Sequence, residues 1–461
     1  MNIKNEILVH LSGVEERIKK ALRETAPGVS IQQYRHLTEK NPDGITVWTK
    51  AFQTAIRENP VLSIPASQEP YYLDDTLVIP SDRVIRAEKG AVIRQTPGCK
   101  VLMLRNEHTV DGSRLPPQNL RPDRNIAILG GRWEESHRQR LGYGKSGMYN
   151  DKRSFFGVSA CMLFNNMENL YLSDLEFAHT AGFSVQVGEI KGAVFENITF
   201  RECYADGLHL NGNTEDVVIR NIRGQVGDDL VALNMYDWQH SSVNFGPMKN
   251  VLCETLRLSE DSLYKALRIQ PGMYFFEDGS QVDCSAENLI IRDVKGINTY
   301  KCYFQTPAYV IGTEPEKGGV GSGNNIFFQD IEVDLCRPLD YMPVYVNSDP
   351  VRGNFGAFEM GANLKNVYFE SINARLYPEK YPLSGLISVG PKSAPGGNGE
   401  KEIFDPYLSS SIGNLHYKDI RINGTKINDL RPFVRLTSFQ DINHDGHSTA
   451  RGTVAHFISE P

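Results

Sequence analysis

One short pattern recurs through this chain and limits what it can fold into. Eight segments read apolar, any, apolar, any, Asp or Asn, apolar: LYLSDL, AVFENI, VVIRNI, VLCETL, LIIRDV, IFFQDI, VYFESI and LHYKDI, with a looser fit in the fourth and seventh. They end at Leu175, Ile198, Ile222, Leu256, Val294, Ile331, Ile372 and Ile420. The first three ends are 23 and 24 residues apart, and the last two are 48 apart. A minimum period with growing insertions is the mark of a solenoid coil carrying loops. The alternation is that of strands, and no coil holds the paired helices of ankyrin, TPR or HEAT arrays. Like strands of successive coils would pair in parallel, about 4.8 Å apart. The expected fold is all-β, a single-stranded right-handed parallel β-helix with an N-terminal helical cap. The Asp or Asn before the last apolar residue is expected to fit a turn or to ladder between coils, a structural role.

A length of 461 residues exceeds one compact core, but a solenoid grows in one dimension. Two regions are expected. Residues 1–60 form a helical segment and cap, with apolar positions Ile7, Leu11, Val14, Ile18 and Leu22 at helical spacing. A second helix spans Thr46–Glu58, with Trp48, Phe52 and Ile56 on one face. Residues 61–461 form the β-helix with long inserted loops, among them Glu134–Ser154, Met235–Lys249 and the Gly-rich 318–325 and 394–402. The N-terminal helix suits a homo-oligomer contact as well as a cap.

Composition narrows the class. Hydrophobic content of 40 % and charged content of 23 % suit a soluble globular chain, and a net charge of −7 gives nucleic acid or an anionic membrane no purchase. No run of about eighteen apolar residues would span a membrane. Glu6, Glu15 and Glu16 interrupt any secretory signal, so a cytoplasmic location is expected. Seven scattered cysteines without a CxxC pair read as buried reduced thiols and argue against a zinc site or a disulfide framework.

The chemistry concentrates in YADGLHLNGNTEDVVIRNIRGQVGDDLVALN, residues 204–234. Aligned on their strands, DGLHLN and DLVALN place Asp206 opposite Asp229 at a one-coil offset of 23 residues, with Asp228 beside them. Three carboxyls so close cannot all ionise freely, which yields an acid and a base from one residue type. Such a pair is what glycoside hydrolysis needs: one protonated carboxyl for the leaving oxygen, one ionised to activate water or attack the sugar. A lone DG or GD in a solenoid is usually a turn; the pair at one-coil spacing is more specific. Gly207 and Gly227 read as backbone necessities beside the acids.

Around the acids, Leu208 and Leu210 should point inward, so His209 and Asn211 should face outward as substrate contacts. Arg268 aligns above Ala232 and His209, where it would meet a substrate carboxylate or hydroxyl. Lys265 and Gln270 flank it. Trp238, Tyr236 and Trp133 offer aromatic faces for a sugar ring. For each of these the plain alternative is a surface ion pair or ordinary packing.

The order of these motifs resembles the polygalacturonase-like enzymes of glycoside hydrolase family 28, in the pectin-lyase-like β-helix superfamily. PDGITVWTKAFQTAI resembles that fold's opening turn and capping helix, and GGRWEE its first active-site loop. YADGLHL resembles the family's NTDG motif, and VGDDLVAL its GDD motif. Downstream, KALRIQPG places Lys265 where the family has a histidine, Arg268 at its arginine and Gln270 at its lysine. The resemblance implies a carbohydrate substrate, no cofactor and no metal. It also implies Asp228 as general acid, Asp206 and Asp229 as the pair that positions water, and inversion at the anomeric carbon. Two alternatives stay open on the same fold. One is a Ca-dependent polysaccharide lyase or epimerase that uses the aspartates as ligands. The other is a non-catalytic carbohydrate-binding β-helix.

Overall fold

The computed structural model describes residues 3–23, 27–109, 121–136, 160–237, 242–262, 266–275, 280–297, 302–304, 320–336, 355–380, 384–390, 410–436 and 452–460. The chain folds as a right-handed parallel β-helix with a helical N-terminal cap. It divides into two compact units: Met1–Leu230 with Gln239–Asn244, and Val231–Trp238 with Phe245–Pro461.

In the first unit three strand stacks run through successive coils. One is built from Val61–Ile64, Arg83–Ala87, Asp123–Leu129, Ala160–Ser173, Phe183–Cys203 and Thr214–Val226. A second places Tyr71, Ile93, Trp133, Phe177 and Phe200 one above another. The third aligns Leu77, Leu104, Met162, Val185 and Leu208. The inward columns are apolar and almost fully buried, and each such Leu, Ile or Phe contributes roughly 1.5–3 kcal/mol. In the second unit one stack runs Met248–Leu258, Ala286–Ile297, Ser322–Asp334, Asn363–Arg375, Ser410–Lys418 and Gly452–Ser459. Its registers join Leu256 to Val294, Val294 to Ile331 and Ile331 to Ile372, as the repeat requires.

The residue before each terminal apolar position makes the turn. Asp174, Asn197, Asn221, Thr255, Asp293, Asp330, Ser371 and Asp419 all have φ between 47° and 60°. The left-handed region costs most residues roughly 1–2 kcal/mol, and Asn and Asp tolerate it best. This explains the recurring residue type, and the looser copies are those with Thr255 and Ser371. Both expected roles hold together, because the side chains also ladder. Asn197 donates to Asp174 at 2.9 Å, and Asn221 to Asn197 at 2.7 Å.

The helices depart from expectation in detail. Residues 3–22 form one helix, α1 (Ile3–Leu22), whose buried stripe is Ile7, Leu11, Val14, Ile18 and Leu22. It lies across the strand flank of the first unit, tied by Lys19 to Glu196 at 2.6 Å and by Arg220 to Glu15 at 2.7 Å. Its apolar face is therefore covered by its own chain. The capping role falls to α2 (Thr49–Glu58) with the 3₁₀ helix Ile31–Leu37, through buried Ala51, Phe52, Ala55 and Ile56. The solenoid also starts before residue 61, since Val29 already pairs with Leu62 and Val47 with Tyr72. Within the Gly-rich 318–325, residues 322–325 open a strand instead of a loop. The cysteines described are free. Burial raises the Cys161 and Cys203 thiols.

Candidate active site

The main chain stacks the two acid-bearing turns as the 23-residue offset implies. Gly207 N donates to Asp229 O at 2.9 Å and Leu208 N to Leu230 O at 3.0 Å. Both glycines are required by close approach. A Cβ on Gly207 would stand 2.6 Å from Leu230 O and from the Phe200 ring, and one on Gly227 would stand 2.4 Å from Tyr204 O.

Asp206, Asp228 and Asp229 each present a carboxylate oxygen, and the three atoms lie within 4.8 Å of one another. Asp206 and Asp229 are buried, at 1 % and 0 % exposure, while Asp228 is half-buried. The two oxygens of Asp206 have different partners. Oδ1 accepts from the Asp229 main-chain N at 3.0 Å, and Oδ2 lies 2.6 Å from His209 Nδ1.

His209 and Asn211 are not outward-facing. Every residue of the strand Leu208–Asn211 is buried. One face looks into the core; the other is covered by Phe183, which lies flat on the His209 ring at a centroid distance of 3.8 Å, and by Val243. Asn211 Nδ2 reaches His209 Nε2 at 3.2 Å, and its Oδ1 accepts from Gln186 Nε2 at 3.0 Å and Val243 N at 3.1 Å. The expectation that these two contact substrate is therefore corrected: they pack beneath the acids and hold one of them.

Trp133 is likewise corrected. It is fully buried in the interior column between Ile93 and Phe177, with Nε1 donating to Gly130 O at 3.3 Å, so no sugar reaches its ring. Tyr236 is buried too, tilted against Phe245 and Tyr274 in the second unit. Lys265 and Trp238 lie outside the described residues. Arg268 and Gln270 belong to the second unit, where Arg268 stands opposite Ala232 as the strand alignment implies. Gln270 is buried, with its main-chain N donating to Leu233 O at 2.8 Å.

Two residues packed against His209 and Asn211, and one buried acid elsewhere in the first unit, were not singled out from the sequence. Gln186 stands in register with His209 one coil earlier, and aligning FSVQVG with DGLHLN finds it. Phe183 opens the same strand. Glu135, the last residue of GGRWEE, is buried with one carboxylate oxygen accepting from Ala181 N at 2.6 Å. Burial pushes its carboxyl up to about 8. No local sequence signal marks it. A separate trio, Glu107, His108 and Asp123, also brings ligand atoms together. There Asp123 is occupied by Ser81, Asn106 and His108, as in a hydrogen-bonded turn.

Among solved structures the chain is similar to a hyperthermoactive exopolygalacturonase from Thermotoga maritima. The two share 13 % identity, over 90 % of this chain and 97 % of that one, with a TM-score of 0.47. It is similar also to the catalytic unit of a GH87 α-1,3-glucanase from Streptomyces thermodiastaticus, at 11 % identity over 95 % and 69 %, TM-score 0.49. A third likeness is to PfbA, a surface adhesin of Streptococcus pneumoniae, at 11 % identity over 86 % and 88 %, TM-score 0.40. No protein-family model matches the chain, and no match is found among curated proteins.

Proposed function

We propose that the protein is a glycoside hydrolase whose acid and base are Asp206, Asp228 and Asp229. The observation that carries this reading is the trio itself: three carboxylates within 4.8 Å, two buried and one half-buried, on turns one coil apart. Turn aspartates have no need of such an arrangement. Asp206 accepts hydrogen bonds at both oxygens, which suits an ionised group that orients water. Asp228, the most accessible of the three, is the general acid that protonates the leaving oxygen. Asp229 completes the water site.

The spacing bears on stereochemistry. A pair of inverting carboxyls commonly stands roughly 6.5–9.5 Å apart with the water between them. These oxygens lie within 4.8 Å, nearer the roughly 5–5.5 Å of retaining pairs, so inversion is drawn from the resemblance of the DG and GDD motifs and not from the spacing. Inversion is the outcome proposed. The polygalacturonase-like motifs make a uronate-containing or α-linked oligosaccharide the first substrate class to try, with Arg268 as a candidate partner for a substrate carboxylate. Action within the cytoplasm on imported oligosaccharides, and assembly into a homo-oligomer, belong to the same proposal.

The test is product analysis by NMR on oligogalacturonides, α-1,3-linked gluco-oligosaccharides and mucin-type glycans. A new reducing end of inverted configuration, insensitive to chelator, supports the reading; a retained configuration overturns the mechanism. A second reading rests on the same trio, because carboxylates this close also suit a hard cation such as Ca²⁺. In that lyase reading activity falls with chelator, and an unsaturated, ultraviolet-absorbing product appears.

A further inference from the structure

The hydrogen bonds around His209 fix its protonation pattern by elimination. Val243 N is a main-chain N–H and can only donate, so the Asn211 atom that receives it is the carbonyl oxygen. Gln186 Nε2 donates to the same oxygen. The Asn211 atom facing the ring is then the amide nitrogen, a donor, and His209 Nε2 must accept from it. A neutral imidazole that accepts at Nε2 carries its proton on Nδ1, and that proton points at Asp206 Oδ2, 2.6 Å away. The other Asp206 oxygen receives Asp229 N.

The chain of donors starts from a segment that sequence places far away. Within the first unit, Val243 and Asn244 clip this segment onto the coils. Val243 is buried with Leu102, Ala160, Leu163, Phe183 and Ala205. Asn244 Nδ2 donates to Glu189 Oε2 at 3.0 Å, and Ser242 Oγ closes the turn onto Asn244 O at 2.7 Å. The seat needs Gly188: a Cβ there would stand 2.5 Å from Asn244 Oδ1 and 3.0 Å from a Val243 methyl.

We propose that His209 is a positioning residue, held as the neutral Nδ1–H tautomer by a relay from the Ser242–Asn244 clip through Asn211, and that this relay keeps Asp206 a hydrogen-bond acceptor aimed at the site. The role in catalysis rests on the hydrolase reading above; the tautomer does not.

The experiment is long-range proton–nitrogen NMR of nitrogen-15 histidine-labelled protein, with His209 assigned by the signals missing from His209→Gln. The expected result is a protonated Nδ1 and a bare Nε2 for His209. A protonated Nε2, or an imidazolium at neutral pH, overturns the relay whether or not the protein cleaves a sugar. Gly188→Ala unseats the clip and is expected to mix the two tautomers; an unchanged His209 spectrum in that variant removes the clip from the relay. On whichever of trigalacturonate or α-1,3-linked glucotriose is cleaved, His209→Leu is expected to lower kcat roughly 10- to 100-fold with KM unchanged, the worth of one hydrogen bond to a charged group. His209→Asn, whose amide can donate from the Nδ1 position, should recover most of that loss. Equal loss in both variants would mean that the ring only packs.

Discussion

Two sets of acidic and amide side chains recur in this molecule at the same interval and do different work. Asp174, Asn197 and Asn221 sit 23 and 24 residues apart, as do Asp206 and Asp229 at 23. The first set occupies left-handed turns at the surface, each side chain bonded to the next. The second set has no left-handed backbone, lies buried, and brings charges together instead of alternating donors with acceptors. Spacing puts side chains side by side in both. What separates a turn ladder from a candidate acid cluster is backbone conformation and burial. The ladder side chains bond to one another, whereas bringing two buried carboxylates and a half-buried third together carries a cost of the kind that clusters at functional sites.

The largest expected break in this comparison is chemical. Asp228→Asn should lower turnover 10²- to 10⁴-fold, the usual worth of a general acid, with a melting temperature close to that of the parent. If calorimetry shows unfolding instead of a folded, inactive protein, Asp228 belongs with the ladder residues.

Next comes Glu135, a buried acid of the first unit outside the trio. The folded chain keeps the Glu135 proton up to about pH 8, while the ordinary value is 4.5. Between these values the native state holds more protons than the unfolded one, so stability falls as pH rises through that window and levels off above it. Glu135→Gln should remove this slope and leave the variant more stable above pH 8, by on the order of 5 kcal/mol. Melting curves from pH 4 to 9 that remain parallel for the two proteins would count against a buried neutral carboxyl.

Smaller effects test the backbone. Gly227→Ala forces a methyl toward Tyr204 O, so a loss of about 1–3 kcal/mol is expected from denaturant melts. Activity should fall further than stability, because Asp228 and Asp229 move with it. The smallest effect belongs to the ladder. Asn197→Ala should cost about 1 kcal/mol through the left-handed turn and leave activity intact. Asn197→Gly should recover most of that, since glycine needs only the lost hydrogen bonds replaced by water. A large loss of activity in either variant would erase the distinction between the two sets.

Much of the fold was legible because its causes are local. A strand alternates, a left-handed turn selects Asn or Asp, and the strand registers Ile198 to Ile222 and Val294 to Ile331 follow from counting. The stacking of Asp206 and Asp229 was legible for the same reason. His209 and Asn211 were misread because alternation gives only two faces, core and outside. Here the outside face is covered by Val243, which meets Asn211 from 32 residues downstream. Trp133 was misread because an aromatic beside a long loop looks like a sugar platform, although its column neighbours Ile93 and Phe177 place it in the core. The α1 stripe was legible as amphipathic, but the strands it covers were not, since many faces of a solenoid offer similar apolar surface.

By itself, then, the sequence determined the period, the turn residues and the meeting of three carboxyls, because each depends on spacing along one repeating coil. The tertiary structure alone decided what surrounds Asp206. The imidazole beneath it and the amide behind that follow three and five residues later in the same segment, but the distant main-chain N–H that orients both comes from a segment whose approach no interval in the sequence encodes. Burial, which turns a turn aspartate into a group with a defined hydrogen-bonding state, exists only once those segments have closed over it.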